Sequence, residues 1–195
     1  MDDIAYEVKI DPIDFRLQHI SDIRSREILT RLDKETKAKR RKLKEGQGWG
    51  VGFARYKGIS GFCAVYACVS VDEEVAVDEI ISVSDVGEAI SIDGVKNQIE
   101  GGIIQSISWT LKEAVAVDGL SSKVDTWFDY PILKFSEVPK ITTILINRPD
   151  EKPLGAAEIS QGPGGAAVAN AVRNALGIRV KKLPITRDEL IAATF

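Results

Sequence analysis

Within the stretch Pro153–Asn170, PLGAAEISQGPGGAAVAN, the one ionisable side chain is Glu158. Gly155, Ala156 and Ala157 precede it, and Gly162, Gly164 and Gly165 follow. Small residues let another backbone or a ligand come close, and glycine also tolerates positive φ. A carboxylate held in an apolar pocket is disfavoured in its charged form, which suits a general base. The competing reading is a surface loop with an ordinary solvated glutamate. Pro163 fixes its own φ and biases Gly162 away from the α region. The run AAVANAVRNAL is then expected to be helical and to stop at Gly177.

A second constellation falls in Asp93–Val115, the longest helical pattern of the chain. Val95, Ile99, Ile103, Ile107 and Leu111 recur every four residues and mark a buried face. Gln98, Gly101, Gly102, Gln105 and Trp109 fall on another. Glycine inside a helix costs about 1 kcal/mol relative to alanine, so a pair of them needs a reason. A notch for a neighbouring helix is one. The approach of a ligand, met by the directional amides of Gln98 and Gln105, is the other.

Direct metal ligation is not expected. Cys63 and Cys68 are the two cysteines and His19 is the one histidine. The cysteines lie on a predicted strand at an odd spacing, hence on opposite faces, which also argues against a disulfide. They lack ligand spacing and neighbouring histidines. The reading is two buried, reduced thiols.

These groups need a scaffold. The chain has 195 residues, 26 Lys and Arg against 29 Asp and Glu, and a net charge of −3. That composition describes an ordinary globule and gives no global reason to bind nucleic acid or anionic lipid. No signal peptide and no membrane-length apolar run is legible, so a cytoplasmic location is expected. Residues 1–47 read as an N-terminal helical segment with a basic linker, and 48–195 as an α+β domain.

Asp11 and Pro12 open a short helix that Phe15 and Leu17 help to bury. Ser21–Glu45 is helical in pattern, with Ile23, Ile28, Leu29 and Leu32 as its apolar stripe. Its basic second half, DKETKAKRRKLKEG, has no interleaved aromatics and reads as a solvated helix end rather than a nucleic-acid patch. Strands are expected at Gly48–Lys57, Phe62–Val71 and Val75–Ser84, the last two as an antiparallel hairpin. The glycines of Gly48–Lys57 imply close backbone approach. Ser91 can cap the Asp93–Val115 helix. Ile141–Asn147 is a further strand. The tail holds a short strand, RVKKLPI, and a helix capped by Thr186.

Three motifs carry a resemblance: QIEGGIIQ at 98–105, DYPIL at 129–133, and the Glu158 loop with AAVANA at 166–171. With the N-terminal MDDIA and DPIDFRL elements and the FARYK segment, the sequence resembles the C-terminal part of the xanthine dehydrogenase/aldehyde oxidase large subunits. Within that family it is most similar to the isoquinoline 1-oxidoreductase and nicotinate dehydrogenase beta subunits. The resemblance implies an α+β fold of antiparallel strands with flanking helices. It implies that Glu158 matches the catalytic base. It also implies that Gln105, Gln98, Gly101, Gly102, Gly155, Ala156 and Ala157 lie along the molybdopterin.

By the same resemblance the chain is one part of a split molybdenum hydroxylase that oxidises an N-heteroaromatic ring or an aldehyde. Its partners would be the complementary N-terminal part of the subunit, an iron–sulfur subunit and a small-molecule substrate. Nucleic acid and membrane are not among them. The isolated chain would be inactive and prone to self-association through uncovered apolar surface. Four positions depart from the family pattern. Ala157 replaces a glycine, Val86 a cysteine, and Ser91-Ile92 an Asn-Pro. They fit a second reading, a non-catalytic assembly or binding module.

Overall fold

A computed structural model describes residues 1–194. Three helices come first: α1 (Asp2–Glu7), α2 (Pro12–His19) and α3 (Ile23–Arg40). The Asp11 carboxylate accepts the Ile13 N–H at 2.8 Å and so caps α2, whose first residue is Pro12. Ile28, Leu29 and Leu32 of α3 are fully buried. Ile23 is not part of that stripe: it opens the helix on the solvent side and is 80% exposed.

Four strands form one sheet in the order β1 (Gln47–Arg55), β2 (Phe62–Val71), β3 (Val75–Asp85), β6 (Lys140–Leu145). The pairs β1–β2 and β2–β3 are antiparallel, as their short connections require. The pair β3–β6 is parallel, a feature the pattern of the strands alone did not disclose. The long return through α4 (Ile92–Leu111) is what brings the chain back to run in the same direction. A two-stranded finger, β4 (Val117–Asp118) and β5 (Ser121–Ser122), and an irregular connector carrying DYPIL separate α4 from β6.

Strand β2 is buried on both faces. Cys63, Val65, Ala67 and Val69 face a core closed by α4 and α5 (Gln161–Leu176). Phe62, Ala64, Tyr66 and Cys68 face a core closed by α2 and α3. The two cysteines therefore sit in different layers, both as free thiols. The fold is α+β, with a central sheet between helical layers.

Helix α5 lies directly on the backbone of β1. A Cβ at Gly48 would come within 2.3 Å of the Ala171 carbonyl, one at Gly50 within 2.3 Å of the Ala167 carbonyl, and one at Gly52 within 2.0 Å of the Pro163 carbonyl. Asn170 and Asn174 of α5 reach the outer edge of β1. The Asn170 amide donates to Val51 O at 2.9 Å, and Asn174 Oδ1 accepts the Trp49 N–H at 3.0 Å. Side chains thus occupy the edge that another strand would otherwise use.

Three local expectations are corrected. Helix α4 ends at Leu111 instead of Val115, because the apolar face runs out and Val115 is 59% exposed. Helix α5 begins at Gln161, so Gly162 is helical despite preceding Pro163. The proline falls in the first turn, where its missing N–H has no intrahelical partner to lose. The segment 179–185 forms no strand. Val180 and Ile185 are buried as separate anchors with exposed residues between them, a spacing that no two-residue period supports. The tail then enters α6 (Arg187–Thr194), where the Thr186 hydroxyl accepts the Glu189 N–H at 3.4 Å.

Candidate functional site

The approach to the Glu158 loop is built beside the end of β3. Past β6 the chain stays paired with the Ser84–Glu88 segment. Ile146 N–H donates to Ser84 O at 2.8 Å, Arg148 N–H to Gly87 O at 3.1 Å, and Leu154 N–H to Val86 O at 2.8 Å. Asp85, fully buried, secures this crossing. It accepts hydrogen bonds from Arg24 Nε at 2.8 Å, Arg148 Nε at 2.6 Å and Gly87 N–H at 2.9 Å. Burial pushes its carboxyl up, but the two guanidinium groups and the amide together outweigh that and hold it below the usual carboxylate range. Gly87 has φ +70°, and a Cβ there would come within 2.1 Å of Lys152 O. Val86, in place of the family cysteine, is buried in the core, and Ser91 Oγ caps α4 by accepting the Gly94 N–H at 3.2 Å. Both departures have a structural accommodation.

The loop itself turns over α4. Gly155 takes φ +79° and lies against the β1–β2 turn, where a Cβ at Gly61 would come within 2.9 Å of Gly155 O. The Gln98 amide donates to the Ala157 carbonyl at 2.8 Å. Ser160 Oγ donates to Ile99 O at 3.0 Å, and a Cβ at Gly102 would come within 2.5 Å of that same hydroxyl. Gln105 Oε1 accepts from the Gln161 amide at 2.7 Å. Gly155, Ala156 and Gln98 share a largely apolar cavity of about 250 Å³ with Val86, Val95 and Pro153. Ala157 is not among the residues with positive φ, so replacing the family glycine there leaves no backbone strain.

Helix and loop therefore meet, and most of the expected residues come together. Gly101 shares the open face of α4 with Gln98 and Gln105 but packs against nothing. It faces open space, with nothing within 4 Å of an added Cβ, whereas Gly102 is explained by Ser160. Glu158 is exposed rather than enclosed in an apolar pocket by this chain. Its Oε2 accepts a hydrogen bond from the Tyr56 hydroxyl, a partner that sequence reasoning missed. The carboxylate in turn raises the Tyr56 phenol above its ordinary range, through the hydrogen bond first and burial and charge after it. No local signal links residues 102 positions apart. Gln161, also missed, lay inside the motif but carried no spacing cue.

The exposed face thus presents Gln98, Gln105 and Gln161 amides, the open glycines Gly101, Gly155 and Gly162, and the Glu158 carboxylate, with Glu88 at the cavity beside Gln98 and Gly155. The first N–H groups of α5 lack intrahelical partners. Directional donors and acceptors beside side-chain-free backbone fit a flat, heteroatom-rich ring system such as a pterin. Among the described residues, no three His, Cys, Asp or Glu side chains are grouped to ligate a metal.

The fold is that of a cofactor-binding domain. The chain belongs to the family described as the molybdopterin cofactor-binding domain, whose pattern matches residues 23–139. Its likeness to the xanthine dehydrogenase/aldehyde oxidase large subunits stands. It is 36% identical to a nicotinate dehydrogenase subunit from Pseudomonas putida, over 99% of this chain and 18% of that protein. It is 31% identical to the isoquinoline 1-oxidoreductase beta subunit of Brevundimonas diminuta, over 95% of this chain and 24% of that one. Among solved structures, quinoline 2-oxidoreductase from Pseudomonas putida 86 superposes with a TM-score of 0.64 at 29% identity, covering 68% of this chain and 18% of that one. The chain thus spans about a fifth of the length of these relatives. Among the described residues, no helix is long and apolar enough to cross a membrane.

Proposed function

We propose that this chain supplies the C-terminal part of a molybdenum hydroxylase large subunit, with Glu158 as its general base. The observation that carries the reading is the junction of α4 with the loop. There Gln98 holds the Ala157 carbonyl while the neighbouring Glu158 side chain stays on the open face. Gln98, Gln105 and the open Gly101 and Gly155 would hold one side of the pterin, with Gly102, Ala156 and Ala157 shaping the backbone beneath it. The complementary N-terminal part of the subunit would hold the other side.

The molybdenum–molybdopterin group, when bound, supplies two-electron redox chemistry, and iron–sulfur clusters on a separate subunit carry the electrons onward. The protein's own task is narrower. Glu158 takes the proton from the oxygen that attacks the substrate carbon, and the Gln98 and Ser160 contacts keep its loop from drifting. A substrate of the N-heteroaromatic class fits the relatives named for nicotinate, isoquinoline and quinoline, and an aldehyde fits those named for aldehydes.

In the assembled enzyme, Glu158→Gln keeps the side chain's size and removes the base. Turnover per molybdenum should fall by about 10²–10⁴-fold with the complex still assembled and loaded. Unchanged turnover per molybdenum would overturn the assignment.

A further inference from the structure

We infer that Tyr56 is a positioning residue for Glu158, holding Oε2 so that Oε1 alone remains to take the proton. The inference rests on the reading of Glu158 as the base. The Tyr56 hydroxyl donates to Glu158 Oε2, and no described residue donates to Oε1. One carboxylate oxygen is thus engaged and the other open.

Tyr56 is well placed to hold its aim. It sits where β1 gives way to a tight turn, with Lys57 at φ +51° and Gly58 at φ +71°. Its own N–H donates to Gly61 O at 3.0 Å, and its carbonyl accepts the Ser60 N–H at 2.9 Å. Its ring packs against the core beneath the sheet, and the Lys57 ammonium lies 5.1 Å from the ring centroid. The phenol is therefore fixed from both its backbone and its ring. On the opposite side, Gln98 and Ser160 tie the loop to α4. A flexible glutamate on an exposed loop loses rotamer freedom only if its head group is also held, and Tyr56 supplies that contact.

Two measurements test the pair, one of them independent of activity. In the purified chain, ultraviolet titration follows the four tyrosines. Glu158→Gln should move the ionisation of one phenol to lower pH, because the carboxylate no longer opposes it. The same substitution in a Tyr56→Phe background should move nothing. An unchanged tyrosine titration in Glu158→Gln would sink the inference whatever the enzyme does.

In the assembled enzyme, Tyr56→Phe keeps the ring and its packing. It should lower kcat about tenfold with KM unchanged, a smaller loss than that of Glu158→Gln. Combined with Glu158→Gln it should cost nothing further. If Glu158→Gln is severe while Tyr56→Phe leaves kcat untouched, the positioning role is wrong and the base assignment survives. If Glu158→Gln is itself harmless, the base assignment falls and this role with it.

Discussion

Asp85 is a carboxylate without solvent, and two arginines from distant parts of the chain converge on it. Arg24 comes from the start of α3 and Arg148 from the approach to the Glu158 loop, where it also pairs with Glu27 at 2.5 Å. Removing one partner of such a buried pair costs about 3 kcal/mol, because the remaining charges keep their desolvation without compensation. Asp85→Asn should lower the denaturant midpoint accordingly. The pH dependence follows from the direction of its shift. A carboxyl held below its unfolded value contributes stability that is present above about pH 4 and lost as pH falls through the depressed folded value. Unfolding at pH 7 and at pH 3 should therefore separate wild type from Asp85→Asn widely at the first and narrowly at the second. A gap that does not shrink on acidification would mean the carboxylate charge is not what stabilises the crossing. Asp85 and Gly87 flank Val86, one of the departures from the family pattern, but their own job was not legible. Nothing in sequence announces a contact between residues 24, 85 and 148.

At the scale of elements, the glycines separate into those that packing requires and those it does not. Gly48, Gly50 and Gly52 recur at the strand period, and Pro163, Ala167, Ala171 and Ala175 recur at the helical period of α5. Two small-residue stripes facing each other bring helix and strand backbones together, and this much was visible as unexplained glycine and alanine. Gly50→Ala should destabilise the chain by about 2 kcal/mol, since its Cβ would meet the backbone of Ala167 and Ala171 at 2.3 Å. Gly101→Ala should do the opposite in the chain alone, stabilising α4 by up to about 1 kcal/mol through helix propensity into open space. In the loaded enzyme the same methyl would stand on the proposed pterin face, and molybdenum content should drop. Thermal unfolding of the chain and metal analysis of the complex report the two effects separately. Full loading in Gly101→Ala would remove that glycine from the site. The sequence could not sort Gly101 from Gly102, because adjacent helical positions diverge by direction and only the position of Ser160 tells which one is filled. The parallel partner of β3 was hidden for a related reason: periodicity describes a strand's faces, while direction depends on the connection.

Taken whole, the molecule presents its candidate site as one wall. Glu158, Gln98 and Gln105 are all exposed. Apolar surface is uncovered elsewhere too, along the finger and connector, where Leu120, Trp127, Phe128 and Phe135 stand almost fully in solvent. Single exposed apolar residues are ordinary, but four large ones along one short stretch fit a surface that another segment covers. A pterin held from one side keeps half its polar edge in water and gains little from three amides. The purified chain should therefore bind no stoichiometric molybdenum, with no ligand cluster of its own to compensate. Co-production with the complementary segment of a close relative's subunit should restore loading. In that complex Gln98→Ala and Gln105→Ala should each lower molybdenum per complex while sparing turnover per molybdenum. Glu158→Gln should do the reverse, leaving loading intact and removing turnover. Elemental analysis beside activity distinguishes these patterns. Stoichiometric molybdenum in the chain alone would mean that the wall described here is already the whole site.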